Sequence, residues 1–447
     1  MLEPLYTSEE MRTAEERYPR YPDSIPELMN RAGGAVAAAV SHHYPGARVI
    51  AVCGKGSNGG DGRIAAGLLG AEVVESGEDV PTDTDVIVDA LFGTGFQGEP
   101  RPEAASQIEQ ITAAGVPVVS VDVPSGVDAS TGEVAGAAVH ADLTVTFHGP
   151  KVGLLVAPGR FHAGEVEVVA IGLEHGETDH RLVSPAILEI VPRKTEGDNK
   201  YSSGSVLVVG GSQGMSGAAA LASRAAFRAD AGYVAVAAPK ESLPVLETLV
   251  VEAVKRPLEE VFDAAGRAGA LALGPGLGRS AEKKTLVRRL LEETDVPAVV
   301  DADALYDLEP FERRAATVLT PHSGELARLI DEKSSWVEAH RLEALGRAVE
   351  RFNCVVLLKG ADTLIGAPGE GVLVHGTHTT PALATAGTGD VLTGITAAFL
   401  AKRMEPRLAA AAATMAHGLA ALRSGWPRGM VAGDVIEALP DAFEDLD

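Results

Sequence analysis

Ala384-Thr385-Ala386-Gly387-Thr388-Gly389-Asp390-Val391-Leu392-Thr393-Gly394 sets two glycines in a turn and an aspartate at the head of residues 391–403, which read as helix. A glycine turn that opens a helix aims unpaired backbone N–H groups and the positive end of the helix dipole at one point. A phosphate or a developing negative charge is stabilised there. Asp390 beside that point can take the proton of a hydroxyl that attacks the phosphate. The plainer reading is an aspartate capping a helix after a turn in which glycine supplies positive φ. The decision rests on what the neighbouring strand ends bring to the same edge.

Working outward, Ser205–Val209 reads as a strand feeding Gly210-Gly211-Ser212-Gln213-Gly214-Met215-Ser216-Gly217-Ala218, an alanine-rich helix to about Ala229, and a strand at Tyr233–Ala238. Ala270–Leu273 leads to Gly274-Pro275-Gly276-Leu277-Gly278, and residues 297–300 to Asp301-Ala302-Asp303-Ala304-Leu305. Residues 316–319 lead to Thr320-Pro321-His322-Ser323-Gly324-Glu325-Leu326, and Val355–Leu358 to Lys359-Gly360-Ala361-Asp362-Thr363. Strands that each end in Gly, Asp, His or Lys imply a sheet with its site along one edge. His322 alone reads as a residue that starts a helix. Lys359 is more informative, because a cation at a strand end costs desolvation unless an anion meets it. A nucleotide phosphate is the partner expected. No G-x-x-x-x-G-K-[ST] occurs, which excludes a P-loop NTPase.

In the first half, Ile25, Leu28, Met29, Ala32, Val36 and Val40 recur at helical spacing until Pro45-Gly46. The apolar Val49–Cys53 reads as a buried strand entering Gly54-Lys55-Gly56-Ser57-Asn58-Gly59-Gly60-Asp61-Gly62, with helix over 63–69. This contains G-x-G-x-x-G with Glu72 and Glu75 following, so a dinucleotide site stands as a reading. Five glycines in nine residues, with Asn58 and Asp61 among them, make a broader and more polar cradle than a pyrophosphate turn requires. Two later strand ends match it. One is Asp85-Val86-Ile87-Val88-Asp89-Ala90-Leu91-Phe92 followed by Gly93-Thr94-Gly95-Phe96-Gln97-Gly98, with Glu99 next; the other is Val116-Pro117-Val118-Val119-Ser120-Val121-Asp122-Val123-Pro124-Ser125-Gly126-Val127-Asp128. Asn58, Asp89, Asp122 and Ser125 thus fall at carboxyl ends of strands in a parallel α/β arrangement. Their oxygens suit an alkali or alkaline-earth cation rather than zinc.

The 447 residues call for two or three domains, and 46% hydrophobic with 22% charged residues is globular. No apolar run approaches the ~20 residues of a membrane helix. Met1-Leu2-Glu3-Pro4 lacks the features of a signal peptide, so a cytoplasmic protein is expected. Cys53 and Cys354 are the only cysteines and carry no metal spacing. The net charge of −24, from 62 acidic and 38 basic residues, disfavours nucleic acid and anionic membranes and suits a salt-rich solution. The polar stretch 174–200 places a domain boundary near 195.

N-G-G-D-G after a strand, D-A-L-F-G-T-G and D-V-P-S-G-V-D-A-S-T-G resemble the NAD(P)H-hydrate epimerase domain, as do Glu27-Leu28-Met29 and Lys151-Val152-Gly153-Leu154. The resemblance spans most of residues 1–175 and implies a Rossmann-like three-layer α/β/α domain over 1–195. It implies that Ser57, Asn58, Gly59, Gly60, Asp61, Gly93, Thr94, Gly95, Phe96, Gln97, Gly98, Glu99 and Asp122 contact the hydrate. It further implies that Asn58, Asp89 and Ser125 hold a potassium ion. The family usually has Asn where Ser57 stands. Epimerisation at the hydrated carbon needs a proton taken and returned, and Asp122 is the relay expected.

The order G-G-S…S-G-A, G-P-G-L-G, D-A-D-A-L, L-T-P-H-S-G-E, L-K-G-A-D-T, G-T-G-D-V-L-T-G resembles the NAD(P)H-hydrate dehydratases, of ribokinase-like fold, over 198–440. Ser323 stands where that family reads Pro. The resemblance implies a domain over 196–447 in which Ala218, Gly276, His322 and Asp390 contact the hydrate. It assigns Lys359, Gly360, Ala361, Asp362, Thr363 and Gly389 to the nucleotide, taken as ADP with magnesium, and Asp390 to catalysis. A homo-oligomer acting on small molecules is expected. The alternative is a ribokinase-like small-molecule kinase fused to a non-catalytic nucleotide-binding module.

Overall fold

In the computed structural model, which describes residues 1–446, the chain divides into two compact units. One comprises Pro4–Arg181 with Glu338–Arg341; the other comprises Met1–Glu3, Leu182–Val337 and the chain from Leu342 onward. The seam lies at Arg181–Leu182 rather than at 195. The cause is that the strand His180–Val183 joins the larger sheet and the turn Pro185–Ile190 packs on the helix Pro406–Arg423. Among the described residues no helix is long and apolar enough to cross a membrane.

The smaller unit carries six parallel strands in the order Glu72–Glu75, Val49–Cys53, Val86–Ala90, Val118–Val121, Leu143–Phe147, Glu165–Val169. Successive side chains alternate between faces. Ala51, Cys53, Val88 and Ala90 pack with Leu28, Ala32 and Val36 of the helix Ile25–His43. Ile50, Val52 and Ile87 pack on the other face with Ile108 and Ile111 of Pro102–Ala113. Burial on both faces explains the unbroken apolar runs of these strands, each large aliphatic side chain contributing about 1.5–3 kcal/mol. From Val49–Cys53 the chain crosses to Glu72–Glu75 on one side and then to Val86–Ala90 on the other. That reversal opens a crevice at the carboxyl ends.

The helix expected over 63–69 is Ser57–Leu69, so Gly59, Gly60 and Gly62 are its opening turns and not a loop. Each glycine inside a helix costs about 0.5–1 kcal/mol. The cost is offset by a backbone approach that no side chain allows. A Cβ at Gly59 would overlap the Gly54 carbonyl, and one at Gly62 would overlap the Ala90 side chain.

The larger unit has an eleven-stranded sheet, ordered Leu2–Leu5, His180–Val183, Leu373–His375, Thr363–Gly366, Val355–Leu358, Thr317–Leu319, Ala298–Val300, Ala270–Leu273, Ser205–Val209, Tyr233–Ala238, Val254–Pro257. Pairing is parallel from Val355–Leu358 to Val254–Pro257, and Thr363–Gly366 is antiparallel to both its neighbours. The order reverses at Ser205–Val209 and Ala270–Leu273, again opening a crevice at the carboxyl ends. The helix Thr388–Ala401 is apolar almost all round (Val391, Ile395, Phe399) and lies inside the core. It presses on Ser216–Arg228 so closely that a Cβ at Gly394 would overlap the Ala222 carbonyl. Pro406–Arg423, with Ala409 to Ala413 all buried, packs on it as well.

Candidate active sites

In the larger unit Gly387 caps the helix Thr388–Ala401 in the left-handed region, at φ 91°. Asp390 therefore stands in the first turn of the helix and not before it. Thr388 pins the turn by donating its hydroxyl to the carbonyls of Leu383 and Thr385, both at 2.8 Å. Burial pushes the half-buried Asp390 carboxyl up to about 7, with Asp301 and Asp303 adding and Lys359 opposing. Among the described residues no hydrogen-bond donor holds that carboxylate. A carboxyl of this kind is ready to accept a proton near neutral pH.

Lys359 ends Val355–Leu358, and its N–H donates to the Pro321 carbonyl at 2.9 Å, which brings His322 alongside. Its ammonium donates to Asp301 Oδ1 at 2.7 Å. The anion that offsets its desolvation is thus a protein carboxylate, where the sequence reading expects a phosphate. Burial acts to depress the Lys359 ammonium, but Asp301, with help from Glu325 and Asp390, holds it above its ordinary value. Gly389 lies so near that a Cβ there would be 3.5 Å from Lys359 Nζ.

His322 caps Ser323–Leu329: its Nδ1 accepts from Gly324 N at 3.0 Å, and its own N–H donates to Glu325 Oε2 at 3.0 Å. The side chain is exposed, with its outer nitrogen Nε2 lying 3.5 Å from Glu325 Oε1. Gly276 and Ala218 adjoin, a Cβ on the glycine lying 3.2 Å from the alanine's. Of the segment assigned to nucleotide, Gly360 and Ala361 are exposed whereas Asp362 and Thr363 are buried.

In the smaller unit Asn58 and Ser125 converge on the backbone of Phe92, and Ser125 brings Asp89 to the same place. Asn58 Nδ2 donates to the Phe92 carbonyl at 2.8 Å, and Phe92 N donates to Ser125 Oγ at 2.9 Å. Asp89 is fully buried and accepts from Ser125 Oγ (2.6 Å), Ser125 N (2.9 Å), Ser120 Oγ (2.8 Å) and Leu91 N (3.3 Å). Burial raises its carboxyl and these hydrogen bonds oppose it; among the described residues no lysine or arginine neutralises it. A buried carboxylate beside amide and hydroxyl oxygens is a donor set that fits a monovalent hard cation.

Asp122 sits at φ 67°, and Oδ1 lies 2.6 Å from Nζ of Lys151, whose side chain is wholly buried. Lys151 also donates to Thr146 Oγ1 at 2.8 Å and to the Phe147 carbonyl at 2.7 Å. Asp61 is buried, its Oδ1 without a hydrogen-bond partner among the described residues, and burial with the charges of Asp122 and Glu15 pushes its carboxyl up to about 8. Along the crevice edge, Gly93 and Thr94 are half-buried, and Thr94's carbonyl accepts from Ser8 Oγ at 2.5 Å. Phe96 stacks on Phe92 at 4.8 Å, while Ser57, Gly95, Gln97, Gly98 and Glu99 are exposed. The sequence reading passes over Asp301, Thr393, Lys151 and Glu15 as site residues. Asp301 and Lys151 each stand in a quoted motif, and their burial as charged groups is the signal that singles them out.

Two α/β units, each with a polar crevice where its strand order reverses, define a fused pair: a Rossmann-like unit and a ribokinase-like, phosphate-handling unit. A ribokinase-like superfamily protein from Enterococcus faecalis superposes with a TM-score of 0.53 at 25% identity, covering 61% of this chain and 98% of its own. The ADP/ATP-dependent NAD(P)H-hydrate dehydratase of Bacillus subtilis, crystallised with ATP and Mg2+, gives 0.54 at 27%, covering 58% and 96%. The family described as NAD(P)H-hydrate dehydratase matches residues 206–440, and that described as YjeF-related protein N-terminus matches 26–76 and 68–153. The bifunctional NAD(P)H-hydrate repair enzyme Nnr of Moorella thermoacetica is 36% identical over 94% of this chain and 92% of its own length. That of Escherichia coli is 34% identical over 92% and 88%. The chain belongs to the family of bifunctional NAD(P)H-hydrate repair enzymes.

Proposed function

We propose that the larger unit dehydrates the S form of NAD(P)H hydrate at the expense of ADP, and that the smaller interconverts the R and S forms. The observation that carries the reading is Asp390, poised near neutrality at the head of Thr388–Ala401 with Lys359 beside it. The hydrate bears a poor leaving group, hydroxide, on the carbon next to the ring nitrogen. Asp390 takes the hydroxyl proton, the oxygen bonds to the terminal phosphorus of ADP, and AMP departs. Phosphate then leaves as the nitrogen's electron pair moves toward the carbon. Loss of a proton from the adjacent carbon restores the dihydropyridine. N–H groups of the Gly387–Asp390 turn and the Lys359 ammonium stabilise charge on the transferring group. Magnesium brought in with the nucleotide would neutralise part of the charge on its phosphates.

In the smaller unit Asp122 relays the proton, its carboxylate kept ready by Lys151. Asn58, Asp89 and Ser125 would hold a potassium ion, whose charge would offset that of the buried carboxylate. Association into a homo-oligomer is supported by exposed Val254 on the outermost strand Val254–Pro257 and exposed Val251 in the turn before it, and light scattering tests it.

The decisive assay gives the protein mixed R and S NADH hydrate, ADP and magnesium, and follows NADH absorbance and phosphate. Complete recovery with phosphate release supports both activities, and about half the signal means dehydration alone. A phosphorylated product without phosphate release would mean a small-molecule kinase.

A further inference from the structure

We propose that Asp301 is the positioning residue of the dehydration site, holding Lys359 with one carboxylate oxygen and the catalytic helix with the other. Oδ1 accepts from Lys359 Nζ at 2.7 Å, and Oδ2 accepts from Thr393 Oγ1 at 2.6 Å. Thr393 lies one turn beyond Asp390 on Thr388–Ala401 and is fully buried, as Asp301 is almost entirely. One side chain therefore joins the end of Ala298–Val300, the end of Val355–Leu358 and the helix that carries Asp390. The local backbone is built for it. Asp301 N donates to the Leu273 carbonyl at 3.0 Å and its carbonyl accepts from Ala304 N at 3.1 Å. Gly274, at φ 119°, leaves room for that carbonyl, which a Cβ would overlap.

The consequence is electrostatic. Lys359 faces two carboxylates, Asp301 and Asp390, and Asp303 is the third acid near Asp390. Asp303 is engaged by Arg279 at 2.7 Å and by Gly278 N at 2.9 Å. Glu325, which caps the His322 turn, adds to the negative charge around Lys359. While Asp301 occupies the ammonium, Asp390 is spared a full ion pair and keeps its affinity for a proton. Without Asp301, Lys359 pairs with Asp390 and the base weakens. A group that merely stiffened the fold would leave that proton affinity alone.

The inference rests on the proposed dehydration, and the test separates the two. The full chain is assayed with S NADH hydrate, ADP and magnesium across pH. Asp301→Asn is expected to lower kcat by about tenfold or more with a smaller change in KM for the hydrate, and to move the acidic limb of the kcat profile to lower pH. Thr393→Val, which removes one hydrogen bond and no charge, should lower kcat without moving the limb. It keeps the idea testable if Asp301→Asn fails to fold: wild-type kcat in Thr393→Val then overturns the proposal. A folded Asp301→Asn enzyme with an unmoved limb also overturns it. If the wild-type chain releases no phosphate from ADP, the functional reading itself fails.

Discussion

The Asp122 carboxylate lies 2.6 Å from the Lys151 ammonium, and the lysine side chain has no surface in contact with solvent. Removing one partner of a buried pair leaves an uncompensated charge, at a cost of about 3–5 kcal/mol. Lys151→Met should therefore lower the melting temperature of the smaller unit and weaken epimerisation together. A melting curve superposable on wild type would show that the pair is not needed for stability.

Asp122→Asn keeps the shape of the carboxylate but leaves the buried Lys151 ammonium without its counter-charge, so the chain should still fold, with a lower melting temperature. R/S interconversion, followed by chromatography of the two hydrates, should be abolished while far-UV circular dichroism is unchanged. Dehydration of pure S hydrate should continue. Retained interconversion would remove Asp122 from the reaction.

Asp61 gives the smaller unit a defined pH response. Its carboxyl is pushed from 3.8 up to about 8 by burial and by Asp122 and Glu15. Between those values the folded chain holds a proton that the unfolded chain has lost, so stability declines as pH rises from about 4 to about 8. Asp61→Asn should flatten that part of the melting-temperature profile. An unchanged slope would place the titration elsewhere.

The two glycines of the catalytic turn should answer differently to alanine. Gly387 sits at positive φ, and a Cβ would meet Leu221 Cδ1 at 2.7 Å, so Gly387→Ala should cost about 1–2 kcal/mol. Gly389 is helical, and its Cβ would only touch Lys359 Nζ at 3.5 Å. Gly389→Ala should leave the fold as stable or up to about 1 kcal/mol more so. It should nevertheless lower dehydration, because the methyl group faces the phosphate approach. Denaturant titration and turnover measured on both variants check the contrast.

Asp390→Asn should leave hydrate binding measurable by calorimetry and reduce dehydration by about two orders of magnitude or more. In the wild-type enzyme the same group makes dehydration fall as pH drops below about 7, since the base must be ionised to act. Near-normal turnover in Asp390→Asn would remove it as the base.

Strands buried on both faces were legible because they read as apolar runs closed by glycine or an acid: Val49–Cys53, Ala270–Leu273 and Val355–Leu358 fall where the sequence places them. Helix starts were less so. Gly59, Gly60 and Gly62 look like a loop until the strand ends they press against are known. Glu165–Val169, half exposed and alternating with acids, carries no comparable signature. At the site, sequence order names Lys359 and Asp390 but is silent on Asp301 and Thr393, whose meeting across 92 positions is a product of topology alone. The seam was missed for the same reason, since the pairing partner that claims residues 180–183 is not adjacent in sequence.

Met1–Glu3 belongs to the larger unit, the rest of which begins at Leu182. Residues 4–181 thus stand between those three residues and the rest of their own unit. A gene cut at residue 195 would separate the halves of the text but not those of the molecule.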